Sequence, residues 1–308
     1  MNFLKLIRYK NLLMLAFMQL VFRYGFLKLQ NIPLALNEWQ YALLVLSTVL
    51  IAGAGYVINN IMDQHTDWNN KPQDVIVGKS ISETSAYNIY ITLNCTGVAI
   101  GFYLSNSIDK PNLAALFVII AATLYIYANS LKQIAIIGNI IVALLLSISV
   151  LIIGIFDLYP VITIENKPLL GSIFSILLDY AIFAFMLNFI REIVKDLEDI
   201  NGDYNQGMRT LPIIFGIKRT LILVFILSLI PITAIVYYIK TYLITNNLFP
   251  TIFYSLVFIL APLFFFAVKI WTAKTQKDFN QLSTLLKWIL FFGICSILIL
   301  TLNIKHNA

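Results

Sequence analysis

Nine apolar runs, each about as long as a bilayer is thick, leave this chain few folds to choose from. A helix needs about 20 residues to cross roughly 30 Å of hydrocarbon, and such runs can be drawn at 11–29, 40–60, 85–105, 112–130, 133–156, 171–190, 220–240, 249–271 and 284–303. The 308 residues are 60% hydrophobic and 12% charged, against about 25% charge in a soluble domain. Mean hydropathy is +0.85. The expectation is an all-α polytopic membrane protein with nine transmembrane helices, a single domain over residues 1–308 with no linker or low-complexity tract.

The N-terminus starts basic (Lys5, Arg8, Lys10) and turns apolar, but it lacks a small-residue cleavage site, so it reads as a retained first helix. Arg23 and Lys28 interrupt that helix. The simpler reading is that both snorkel to the outer interface; the alternative has Arg23 lining a polar cavity.

Orientation follows from the asymmetry of basic residues. With the N-terminus in the cytoplasm, fifteen of the twenty-one Lys and Arg residues fall on or near that side. The net charge of +6 and pI near 9.1 are then explained by juxtamembrane cations on an anionic leaflet, and no nucleic-acid partner is needed. Cys95 and Cys295 lie inside expected spans, which suggests neither a disulfide nor a metal motif. With His65 and His306 the only histidines, a zinc site is disfavoured.

Two polar stretches stand out. In NNIMDQHTD, Asn59, Asp63 and Asp67 recur every fourth residue and would share one helical face. In REIVKDLEDINGD, Glu192, Asp196, Asp199 and Asp203 also return to one face. Four expected crossings separate the stretches, so both should face the cytoplasm, around a cavity open to that side. Carboxylates grouped this way repel unless a cation offsets them. Mg2+ suits them because it keeps several waters and shares its coordination with substrate phosphates. Lys71 and Lys79 could hold a diphosphate or merely obey the positive-inside rule. A substrate with a diphosphate at one end and a long hydrocarbon at the other, a polyprenyl diphosphate, meets the demands of a charged site in a membrane. Asn139 lies within a span and should have a partner. The last three helices should form wall.

These motifs resemble the UbiA-type intramembrane prenyltransferases, whose signatures are NxxxDxxxD and DxxxD, here Asn59, Asp63, Asp67 and Asp199, Asp203. The second stretch, with GMRTLPIIFG after it, looks like the branch that makes geranylgeranylglyceryl phosphate ethers. The resemblance implies two Mg2+ ions bridging a diphosphate and transfer of the prenyl group to a lipophilic acceptor entering from the membrane. It would place Asn59, Asp63 and Asp67 on one metal and Asp196, Asp199 and Asp203 on the other. Lys132 matches a family lysine near the diphosphate, and Asn139 a recurrent polar position in the fifth helix. One departure is Asp74-Val75 where many members have Arg-Pro, so Lys71 or Lys79 would have to replace an arginine.

The implied activity is Mg2+-dependent transfer of a geranylgeranyl group to geranylgeranylglyceryl phosphate, in the cell inner membrane. Arg191, Lys195 and Arg209, with Lys218 and Arg219, are cations beyond those the donor needs; the surplus fits a phosphorylated acceptor better than a neutral one, though the positive-inside rule could account for all of it. An aromatic prenyltransferase acting on a quinone precursor or haem would share the metal ligands. A transporter or cation-binding protein is the alternative of another class, since intramembrane carboxylates also mark ion paths. Against it, the carboxylates gather at one side; Asp179 and Asn188 are the only hints of a path through the midplane.

Overall fold

The computed structural model describes residues 2–64 and 75–307. Helices follow one another along the chain: α1 (Asn2–Leu6), α2 (Tyr9–Gly25), α3 (Glu38–Met62), α4 (Glu83–Ser107), α5 (Ala114–Asn129), α6 (Ile137–Asp157), α7 (Lys167–Asn205), α8 (Leu211–Phe215), α9 (Ile217–Tyr238), α10 (Phe249–Ser255), α11 (Ala261–Ile270) and α12 (Gln276–Asn307). A π-helical segment, Ile239–Leu243, continues α9, and another, Leu256–Leu260, joins α10 to α11. No strand forms among the described residues, only an isolated bridge between Val77 and Ile81.

Each expected apolar run falls on one or more of these helices. Among the described residues, eight helical stretches are long and apolar enough to cross a membrane, which makes this an integral membrane protein. The run at 85–105 is α4, whose 25 residues would span about 37 Å at 1.5 Å per residue. Asn88, Thr92, Asn94 and Thr96 dilute its apolarity, and it is not one of the eight. The largest difference in length is at α7, which runs on as one helix of 39 residues through the whole second acidic stretch.

Packing groups the chain into two compact units. The first comprises Met1–Leu20, Pro33–Gly138 and Leu151–Phe174; the second comprises Val21–Ile32, Asn139–Val150 and Ser175–Ala308.

In the first unit α3 is the organising helix. It opens with a capping box: the Asn37 side chain accepts from the Gln40 N–H at 2.8 Å, and the Gln40 side chain accepts from the Asn37 N–H at 2.9 Å. Midway along, Ser47 donates to the Gly97 carbonyl of α4 at 2.7 Å. That approach needs glycine, because a Cβ at Gly97 would sit 2.7 Å from Ile51 and 3.2 Å from the Ser47 carbonyl oxygen. Nearby, Gln19 is fully buried and accepts twice, its carbonyl from the Tyr41 hydroxyl and its side chain from Thr48. Toward its C-terminus α3 stands on a core of Leu6, Val57, Ile58, Ile61, Val77, Ala86 and Ala128, which fixes the end of the helix where Asp63 sits. Asp157, the last residue of α6, is fully buried and accepts from the Leu36 N–H at 3.2 Å.

In the second unit polar links also cross between helices. Tyr180 of α7 shares a hydrogen bond of 2.7 Å with Ser296 of α12, and Tyr254 of α10 donates to the Phe292 carbonyl of α12 at 3.0 Å. The Asn303 side chain accepts from both the backbone and the hydroxyl of Thr251. Arg23 does not snorkel: at 1% exposure it is among the largest fully buried side chains. A guanidinium this deeply covered by neighbouring side chains is out of reach of the water and headgroups that snorkelling would have given it. Lys28 does reach outward, exposed and stacked over the Tyr24 ring at 5.0 Å.

The close approach of α3 and α4 gives a direct test. Gly97→Ala should destabilise the detergent-solubilised protein by about 1–3 kcal/mol through overpacking, read as a lower thermal midpoint. Gly171→Ala, where a Cβ meets nothing within 4 Å, should leave the midpoint unchanged or slightly raised.

Candidate active site

The first acidic set begins on the last turn of α3. Helical spacing brings the Asn59 amide onto Asp63, donating to Oδ2 at 2.7 Å, and the Asp63 N–H closes the helix on the Asn59 carbonyl at 2.8 Å. The other carboxylate oxygen, Oδ1, accepts from the Lys132 ammonium. The pair is mostly buried, with side-chain exposures of 11% for Lys132 and 17% for Asp63. Ion pairing is worth more here than at a wet surface because less water screens it.

Lys132 is presented by a constrained corner. It lies in the 3-10 turn Leu131–Gln133 between α5 and α6. Ile136 follows with a φ of +69°, a conformation that costs a β-branched residue of the order of 1–3 kcal/mol. A Cβ at Gly138 would lie 3.0 Å from the Leu131 carbonyl oxygen and from Lys132 Cα, so the chain can double back on itself only with glycine there. The strained corner sets where the ammonium points.

The second acidic set lies along the C-terminal part of α7. Because the helix is unbroken to Asn205, Glu192, Asp196, Asp199 and Asp203 keep the shared face that their spacing implies. Asn139, at the start of α6, donates to Asp196 Oδ2 at 2.9 Å; this is the partner that an amide inside a span requires. Glu192 has a role that sequence reasoning missed. Its carboxylate accepts from Lys195 at 3.0 Å on both oxygens and from Arg191 at 3.4 Å. Arg191 and Lys195, two of the cations expected to serve a phosphate, are therefore held by a neighbouring carboxylate, and the signal was in the sequence as Lys three residues after Glu.

Asp199 is half-buried and Asp203 buried. The Asp203 carbonyl accepts from the Met208 N–H at 3.0 Å, turning the chain after α7. Arg209 is exposed beyond that turn, and Lys79 is exposed in the turn at Gly78, whose φ is +80°. The structure brings Asn59, Asp63 and Lys132 together in the first unit, and Asn139 and Asp196 in the second. Asp67 and Lys71 lie outside the described residues.

Among the described residues no three His, Cys, Asp or Glu side chains form a ready cage for a metal. The donors present are carboxylate and amide oxygens, the hard ligands Mg2+ takes, and an ion held by them would complete its sphere with water and phosphate oxygens. Asp63 already holds a cation, Lys132, where an ion would bind. On donor chemistry the residues fit Mg2+.

The UbiA prenyltransferase family model matches residues 25–300. The chain belongs to that family. It is 31% identical over 254 residues to the digeranylgeranylglyceryl phosphate synthase of Korarchaeum cryptofilum, covering 81% of this chain and 82% of the relative. Among solved structures, one of a digeranylgeranylglyceryl phosphate synthase superposes with a TM-score of 0.63 at 21% identity, over 96% of each chain. A UbiA homologue from Archaeoglobus fulgidus bound to GPP and Mg2+ superposes with a TM-score of 0.59 at 17% identity, over 96% of this chain and 99% of that one. Family membership makes this chain a prenyltransferase, and the superpositions support the all-helical fold.

The Asn139 link can be tested apart from any substrate. Asn139→Leu removes a hydrogen bond to a carboxylate, worth about 1.5–3 kcal/mol. The thermal midpoint at neutral pH should fall accordingly. An unchanged midpoint would show that Asp196 does not depend on this amide.

Proposed function

We propose that the chain transfers a geranylgeranyl group from its diphosphate to the hydroxyl of geranylgeranylglyceryl phosphate, making an ether lipid at the cytoplasmic face of the cell inner membrane. The observation that carries this reading is the Asn59–Asp63–Lys132 cluster, a cation-seeking carboxylate beside a mostly buried ammonium, in a chain with relatives named digeranylgeranylglyceryl phosphate synthases. Support for Mg2+ comes from the oxygen donors and from the Archaeoglobus homologue bound to GPP and Mg2+.

Asn59, Asp63 and Asp67 would hold one Mg2+, and Asp196, Asp199 and Asp203 another. When bound, the ions supply charge neutralisation to a departing diphosphate. Around them the chain's own groups divide the work. Asn59 orients the Asp63 carboxylate, and Asn139 does the same for Asp196. Lys132, with Lys71 or Lys79, offers ammonium groups to the diphosphate oxygens. Arg191, Lys195 and Arg209 serve the phosphate of the acceptor.

In the transfer, the bond between the allylic carbon and the diphosphate oxygen breaks, and the electron pair leaves with diphosphate. The acceptor hydroxyl oxygen forms the new bond to that carbon, and its proton passes to a carboxylate or to water. The membrane setting leaves the prenyl chain in an apolar environment while the charged end stays among carboxylates and cations.

Purified enzyme given geranylgeranyl diphosphate, geranylgeranylglyceryl phosphate and Mg2+ should yield the digeranylgeranyl ether by mass spectrometry, and chelation should abolish it. Asp63→Asn and Asp199→Asn should each lower turnover by several orders of magnitude while leaving the protein folded. Prenylation of hydroxybenzoate or naphthoate acceptors alone would overturn the choice of acceptor. For orientation, a cysteine at Asn205 should label only from the cytoplasmic side, and one at Ile164, which is 95% exposed, only from outside.

A further inference from the structure

We infer that Lys132 is a stand-in cation, which keeps a divalent ion off Asp63 until a diphosphate arrives to give the ammonium another partner. The inference rests on the proposed Mg2+-dependent use of a prenyl diphosphate, and adds to it that metal and diphosphate bind Asp63's neighbourhood as a coupled pair.

Both oxygens of the Asp63 carboxylate are engaged, Oδ2 by the Asn59 amide and Oδ1 by the Lys132 ammonium. Asp63 is the C-cap residue of α3, so its carboxylate stands where the helix dipole adds partial negative charge. A cation is therefore favoured at this point, and Lys132 supplies it. A divalent ion needs its oxygens at about 2.0–2.1 Å, and the ammonium hydrogen-bonded to Oδ1 occupies one of the lone pairs it would use. Even on the other lone pairs it would place two positive charges beside a third in a site with little water to screen them.

How the ammonium leaves is also set by the structure. The backbone around Lys132 is confined by the 3-10 turn, by the positive φ of Ile136 and by the close pass of Gly138. The corner itself is therefore a poor candidate for movement. The lysine stem, with four methylenes, can rotate while the backbone stays. The exchange is then a side-chain swing from carboxylate to phosphate, which vacates Oδ1 as the diphosphate brings in compensating negative charge.

The test is equilibrium dialysis of Mn2+ against purified protein in detergent, with and without inorganic pyrophosphate at equal concentration on both sides. The Asp63→Asn protein supplies the background from other sites. Without pyrophosphate, Lys132→Gln should bind Mn2+ at the Asp63 site about tenfold more tightly than the unaltered protein, the scale expected from removing one neighbouring charge. Lys132→Arg, which keeps the charge, should behave like the unaltered protein. Pyrophosphate should tighten Mn2+ binding by about tenfold in the unaltered protein and much less in Lys132→Gln. Equal Mn2+ affinities with and without Lys132, in a protein that transfers prenyl groups, would overturn this inference alone. No Mn2+ binding under any condition, together with no prenyl transfer, would overturn the functional reading with it.

Discussion

Hydrocarbon offers no hydrogen bonds, and the polar chemistry of this protein is arranged around that absence. A hydroxyl or amide moved into lipid must carry its partner with it. Ser47 on the Gly97 carbonyl, Tyr41 and Thr48 on Gln19, and Tyr180 on Ser296 are solutions to one problem. Measured links of this kind between membrane helices contribute on the order of 1 kcal/mol each. Their greater effect is on register, since a helix sliding by one residue would leave both ends of such a link unpaired.

The same constraint shapes the charged residues. Asp63 is neutralised by Lys132, and Glu192 by Lys195 and Arg191. Each acidic set thus keeps a basic side chain of its own against it.

Much of this was legible in the sequence, and the reasons it was legible are physical. The apolar runs located the helices because crossing a bilayer demands both length and composition. The four-residue spacing of Asn59 and Asp63 foretold their contact because helix geometry alone decides it. Asn139 announced a partner because an amide in a span is costly to leave bare, though nothing in the chain said the partner would be Asp196. What stayed hidden depended on contacts between residues far apart in sequence. The burial of Arg23 and Asp157 could not be read from local pattern, since a charged residue near a helix end looks the same whether it faces water or another helix. The spacing of Glu192, Asp196, Asp199 and Asp203 gives their helical face, and hydropathy gives the apolar run at 171–190; that the two are one continuous helix appears only in the structure, because helical hydrogen bonding does not stop where apolarity does. Asp67 and Lys71 lie outside the described residues.

That extension gives α7 a mechanical character. A helix of 39 residues is a rod about 58 Å long, nearly twice the thickness of the hydrocarbon it traverses. The apolar run that opens it ends near residue 190, and Asp196, Asp199 and Asp203 follow on the same rod. At 1.5 Å per residue they stand about 9–20 Å beyond the last apolar turn. One continuous helix thus carries its carboxylates clear of the hydrocarbon while its first half stays anchored in it.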